Sequence, residues 1–102
     1  MKEIYVLIGS MYTNHSERKI TNCRMSEYPE TASSEEEVKA IANWYKDRIE
    51  RWVKVYEKNG VKTHETIYTW KRKDGSIRIS KNPRYIYKKI MEEHYGNLGY
   101  DD

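Results

Sequence analysis

The chain has 102 residues, 34% of them charged and 37% apolar, with a net charge of +3. That length fits one domain with a real but modest core. Its single cysteine, Cys23, excludes an internal disulfide and argues against a small secreted scaffold. The strongest apolar run, residues 4–8, is too short for a signal peptide core or a membrane span. The expectation is a cytoplasmic protein, in the host cytoplasm if phage-encoded, with no membrane partner.

Ile4-Tyr5-Val6-Leu7-Ile8 is apolar throughout and mostly β-branched or aromatic, which predicts a central strand buried on both faces. Residues 11–17 read as a turn. Residues 20–25 form a second strand that pairs with the first as a hairpin, and residues 28–34 are a connector. Ser33 or Ser34, each followed three residues later by a glutamate, caps a helix. Val38, Ile41, Tyr45, Ile49, Trp52 and Tyr56 recur at steps of three and four, so this helix is expected to run about 25 residues, to Asn59-Gly60. Residues 64–72 and 76–80 then flank Asp74-Gly75, a pair favoured in two-residue hairpin turns. That turn sets Trp70 opposite Ile79 and Tyr68 opposite Lys81. It places Tyr68, Trp70, Ile77 and Ile79 on one face, and Lys71, Lys73 and Arg78 on the other. Asn82 and Pro83 open a second helix that carries Ile86, Ile90 and His94 on one side and stops at Gly96.

The order β(β)αββα describes an α+β fold. Its expected form is a small, mostly antiparallel sheet of three to four strands, with one long and one short helix packed on one face. The domain spans residues 1–96, and residues 97–102 form a loose acidic tail.

No catalytic or metal-binding pattern stands out, so no enzyme, metal or cofactor is expected. His15, His64 and His94 lack ligand spacing, and His64-Glu65 does not begin an HExxH motif because residue 68 is Tyr. Gly9-Ser10 lacks the further glycines and the Lys-Ser/Thr pair of a phosphate loop.

Two surfaces remain as candidates. Trp44, Arg48, Arg51 and Val55 line up on one side of the expected long helix, a Trp/Arg composition typical of binding hot spots. Lys71, Arg72, Lys73, Arg78 and Lys81 make the second hairpin basic. Residues 61–90 hold nine Lys/Arg against Glu65 and Asp74, whereas residues 1–60 are balanced. Such asymmetry suits an acidic partner or nucleic acid.

The principal expectation is a non-enzymatic protein that acts by stoichiometric association with a protein or protein–nucleic-acid complex. In composition it resembles small phage and mobile-element inhibitors of host nucleases, anti-CRISPR proteins among them. The alternative is a nucleic-acid-binding domain that uses the basic hairpin. The strand–Asp74-Gly75–strand–helix order of the last third resembles the small sheet-plus-helix DNA-binding domains of integrases. A thin core and free sheet edges are also compatible with a homodimer.

Overall fold

Strand β1 (Glu3–Asn14) organises the computed structural model, which describes residues 2–25, 30–45 and 49–96. It is followed by β2 (Lys19–Met25), β3 (Thr31–Ala32), α1 (Glu35–Ala42), β4 (Ile49–Lys58), β5 (Val61–Lys71), β6 (Ile77–Ser80) and α2 (Pro83–Tyr95). The fold is α+β, with an antiparallel sheet and two helices. The sheet has six strands rather than three to four, in the order β2-β1-β4-β5-β6. β3 takes the same side of β1 as β2, pairing Tyr5 with Ala32, while β2 pairs with β1 from Gly9 onward.

The first hairpin forms where expected, but β1 runs on to Asn14 and the turn is confined to residues 15–18. The Asn14 side chain accepts from the Glu17 N–H and the Ser16 hydroxyl and so closes that turn. β1 is central, as predicted, with Tyr5 and Leu7 buried. It is not covered on both faces, because Ile4 stays 42% exposed.

The long helix does not form. α1 ends at Ala42, and residues 49–58 are β4. The three- and four-residue spacing that suggested a helix arises because β4 is a central strand with apolar residues on both sides. Ile49 and Val53 face one way, Trp52 and Tyr56 the other. Ile49, Trp52, Val53, Val55 and Tyr56 are β-branched or aromatic and fit a pleated surface better than a helix. Asn59-Gly60 is not a helix stop. With φ of 53° and 78° it is a two-residue hairpin turn, and Lys58 pairs with Val61 directly across it. The start of α1 matches expectation: Ser34 accepts from the Glu37 N–H, and the Glu37 carboxylate reaches back to the Ser33 N–H.

The β5–β6 hairpin is offset by one residue from the predicted register. Arg72 N–H donates to the Ser76 carbonyl, Gly75 N–H donates to the Arg72 carbonyl, and Gly75 has φ of 91°. The loop is therefore three residues, Lys73-Asp74-Gly75, with glycine in the left-handed position. Asp74 stabilises it by accepting from the Ser76 hydroxyl and N–H, bonds that hold its carboxyl below the usual aspartate range. The extra residue pairs Trp70 with Arg78 and Thr69 with Ile79. A shift of one moves every β6 side chain to the other face.

The helices cover opposite faces of the sheet, not one. α1 brings Val38 onto Tyr5, Leu7, Ala32, Trp52 and Ile67. α2 brings Ile86, Tyr87 and Met91 onto Met11, Ile20, Ile49 and Trp70. β1 serves both cores because its register shifts by one residue between Leu7 and Gly9. That bulge turns Met11 toward α2 although it stands an even number of residues from Leu7. α2 is the longer helix, and Asn82 caps it and Pro83 opens it as predicted. Beyond the helices, Lys54 lies 2.9 Å from Glu3 and over the rings of Tyr5 and Tyr56. This pairing lowers the Glu3 carboxyl below its ordinary 4.5 and raises Lys54 above 10.5.

Candidate protein-binding surface

α1 is only eight residues long, and its C-cap is Asn43. The chain leaves it through two further turns, in which Trp44 N–H donates to the Ile41 carbonyl and Tyr45 N–H to the Ala42 carbonyl. This exit puts consecutive aromatic side chains in different surroundings. Tyr45 packs with Ile41 against the α1 core, and its hydroxyl donates to the Glu30 carboxylate. Trp44 points away and is 85% exposed. The other two tryptophans, Trp52 and Trp70, are buried.

Glu30, Ile41, Trp44 and Tyr45 line a shallow hollow of about 390 Å³. Its floor is apolar, and one rim carries the Glu30 carboxylate. Glu35 and Glu36 are exposed at the other end of the same short helix, about 12 Å away along its axis. Exposed Lys39 stands between them and Trp44, so the described charges on this helix carry both signs. An isolated, fully displayed indole loses a large apolar area to water and is the side chain most often found at binding hot spots.

The stripe predicted from helical spacing is dispersed. Trp44 follows α1. Arg51 and Val55 lie on β4, on the sheet face opposite to α1, where they line up with Val53 rather than with Trp44. Arg48 lies outside the described residues. The stripe was drawn on a helix that ends at Ala42. Spacing could not have shown that Trp44 is exposed, but its place just beyond a short capped helix was a usable signal.

The basic hairpin is also rearranged. In the observed register Arg78 shares a face with Tyr68 and Trp70, and Lys71 lies on the other face. Arg72 Nε is 3.1 Å from Glu93 on α2, and Lys81 is 3.0 Å from Glu65. Lys73 and Arg78 remain exposed. Two of the five cations are thus already paired, and the other three do not share one face.

A larger cleft of about 710 Å³ lies between the hairpin tip and the C-terminal half of α2. Ile49, Trp70, Lys71, Lys73, Glu93 and His94 contribute to its walls. Glu93 bridges it, accepting from the Lys73 N–H at 2.9 Å as well as meeting Arg72. Removing this carboxylate releases a loop N–H and a guanidinium together. Glu93→Ala is therefore expected to lower stability by about 1–2 kcal/mol, read as a lower urea midpoint, with increased amide exchange at residues 72–75.

Among the described residues, no group of three or more His, Cys, Asp or Glu side chains is placed to hold a metal ion. No described helix is long and apolar enough to cross a membrane. No protein family, curated protein or solved structure matches the chain.

Proposed function

We propose that this is a binding protein that acts by stoichiometric association, and that Trp44 anchors its contact with a protein partner. The observation that carries this reading is the 85% exposure of Trp44 beside an apolar hollow with an acidic rim. An exposed tryptophan gives most of its binding energy when it enters a pocket and water is excluded around it. The matching partner surface is an apolar pocket bordered by basic residues that face Glu30. Proteins that handle nucleic acid carry such basic surfaces. A nuclease or nuclease–nucleic-acid complex blocked by a phage or mobile-element inhibitor has this chemistry.

Capture by crosslinking, with tagged wild type and Trp44→Ala in parallel, tests the proposal. Trp44 touches little of its own chain, so the variant is expected to keep its circular dichroism and thermal midpoint. The expected result is a partner recovered near one-to-one with wild type and bound about thirtyfold more weakly by the variant when both are purified, the effect of losing an anchor worth about 2 kcal/mol. Equal binding by wild type and variant would overturn it.

A further inference from the structure

Between Asp74 and Glu92 the chain carries five Lys/Arg and no Asp or Glu. This stretch covers all of β6 and most of α2. α2 turns Ile86, Tyr87 and Met91 to the sheet, so its other positions face outward. Arg84 and Lys88 are both exposed and stand one above the other, about 6 Å apart along the helix axis. Tyr85 and Lys89 form the neighbouring row, with the Lys89 ammonium over the Tyr85 ring. Tyr85 also meets the ring of Trp70, which pairs with Arg78 on β6. β6 is an edge strand, and its register puts the exposed Arg78 on the sheet face that carries α2. The outer side of α2 and the edge of the sheet therefore form one continuous surface.

Two of its cations are engaged, Lys81 with Glu65 and Lys89 with Glu92. Among the described residues Arg78, Arg84 and Lys88 form no ion pair. Arg84 lies in the first turn of α2, which holds no acidic residue. That end of a helix is itself positive, so Arg84 opposes the dipole and the two potentials add. α1 shows the ordinary arrangement, with Glu35, Glu36 and Glu37 in its first turn. Tyr85 contributes a hydroxyl beside the cations, a neutral group that can donate to a phosphate oxygen.

We propose that this surface binds the phosphate backbone of a nucleic acid, with Arg78, Arg84 and Lys88 neutralising phosphates. A nucleic-acid strand presents regularly repeated negative charge, which a surface of unpaired cations without an intervening acid complements. The contacts are to phosphate rather than to base edges, so binding is independent of sequence. Three neutralised phosphates are few, and a dissociation constant of about 10 µM at low salt is expected. The surface differs from the basic hairpin read from the sequence: it keeps Arg78 and replaces the loop cations with those of α2. It lies on the sheet face opposite to α1 and Trp44. A chain anchored through Trp44 to a nucleic-acid-handling protein is thus free to hold that protein's nucleic acid with its other side.

Fluorescence anisotropy of the full chain with a labelled DNA duplex, a scrambled duplex and the corresponding RNA, from about 20 to about 200 mM salt, tests this. The two DNA duplexes are expected to bind alike, with affinity falling against salt at a log–log slope of about −3. The DNA and RNA arms show which backbone is held more tightly. Arg84→Gln and Lys88→Gln are each expected to make that slope shallower by about one, and Arg84→Glu with Lys88→Glu to weaken binding about tenfold or more. These side chains are exposed, so the variants are expected to keep the wild-type circular dichroism, and the two glutamine variants suffice if the double reversal unfolds. Lys71→Gln with Lys73→Gln, at the hairpin tip, is expected to leave the slope as it is. No binding at the lowest salt overturns the proposal. So does a slope that Arg84→Gln and Lys88→Gln leave unchanged, because the contact then lies elsewhere, or tighter binding to phosphatidylserine vesicles than to either nucleic acid. Trp44→Ala is expected to bind nucleic acid as wild type does, so this surface and the Trp44 anchor stand or fall separately.

Discussion

Replacing Trp52 by alanine is expected to lower stability by about 4 kcal/mol, the largest effect of any substitution considered. Trp52 is fully buried between Tyr5, Leu7, Ala32, Val38 and Ile67, at the centre of the core under α1. Its indole N–H donates to the Thr69 hydroxyl at 3.1 Å, and Thr69 is itself fully buried. Alanine removes the ring, leaves a cavity between helix and sheet, and deprives Thr69 of its donor. A chain of this size has about 5–15 kcal/mol of total stability, so the variant stands close to unfolding. Urea denaturation followed by circular dichroism reads the effect directly. Trp52→Phe, which keeps most of the apolar area but not the N–H, is expected to fall between wild type and Trp52→Ala. A Trp52→Ala midpoint equal to that of Trp44→Ala would mean that Trp52 does not sit in the core under α1.

The second large effect is expected at Ile86, on the other face. Ile86 is fully buried where α2 crosses Met11, Ile20, Ile49 and Trp70. Ile86→Ala removes about three methyl or methylene groups from this contact and is expected to lower stability by about 3 kcal/mol. The two cores differ in what a loss releases. α1 is short and lies in the chain between β3 and β4, which both pair with β1, whereas α2 is C-terminal to the sheet and is held by Ile86, Tyr87, Met91 and the Glu93 bridge. Hydrogen exchange on Ile86→Ala is therefore expected to lose protection in α2 before the β1–β4–β5 ladders. Uniform loss across α2 and sheet together would instead mean that the two faces unfold as one unit.

Local chemistry was legible in the sequence, and long-range consequences were not. The caps at Ser34 and Asn82, the first hairpin and the central β1 all depend on neighbouring residues, and they form as expected. The long helix failed because a strand buried on both sides has no period of two, so the positions of Ile49, Trp52 and Tyr56 matched a helix by coincidence. The Asn59-Gly60 pair serves equally as a helix stop or a hairpin turn, and only the partner strand decides between them. At Asp74-Gly75 the ambiguity was a single residue of loop length, yet it reversed the faces of β6 and separated Arg78 from Lys71. Both candidate surfaces inherited these errors. Trp44 survives as a candidate because its exposure does not depend on the register of any strand. Arg51 and Val55 lie instead on a sheet face that no helical reading brings together with Ile4 and Val6.

The claim that Trp44 is a binding anchor is tested most directly by iodide quenching of tryptophan emission, in the free protein and in the purified complex with its captured partner. Trp52 and Trp70 are buried and Trp44 is 85% exposed, so the quenchable emission of the free protein belongs to Trp44. Trp44→Phe, measured in the same way, identifies that component and subtracts any signal from the partner. The account predicts that the Trp44 component shifts to the blue and becomes inaccessible to iodide when the partner saturates the protein. A Trp44 component that stays red and fully quenchable at saturation would contradict it.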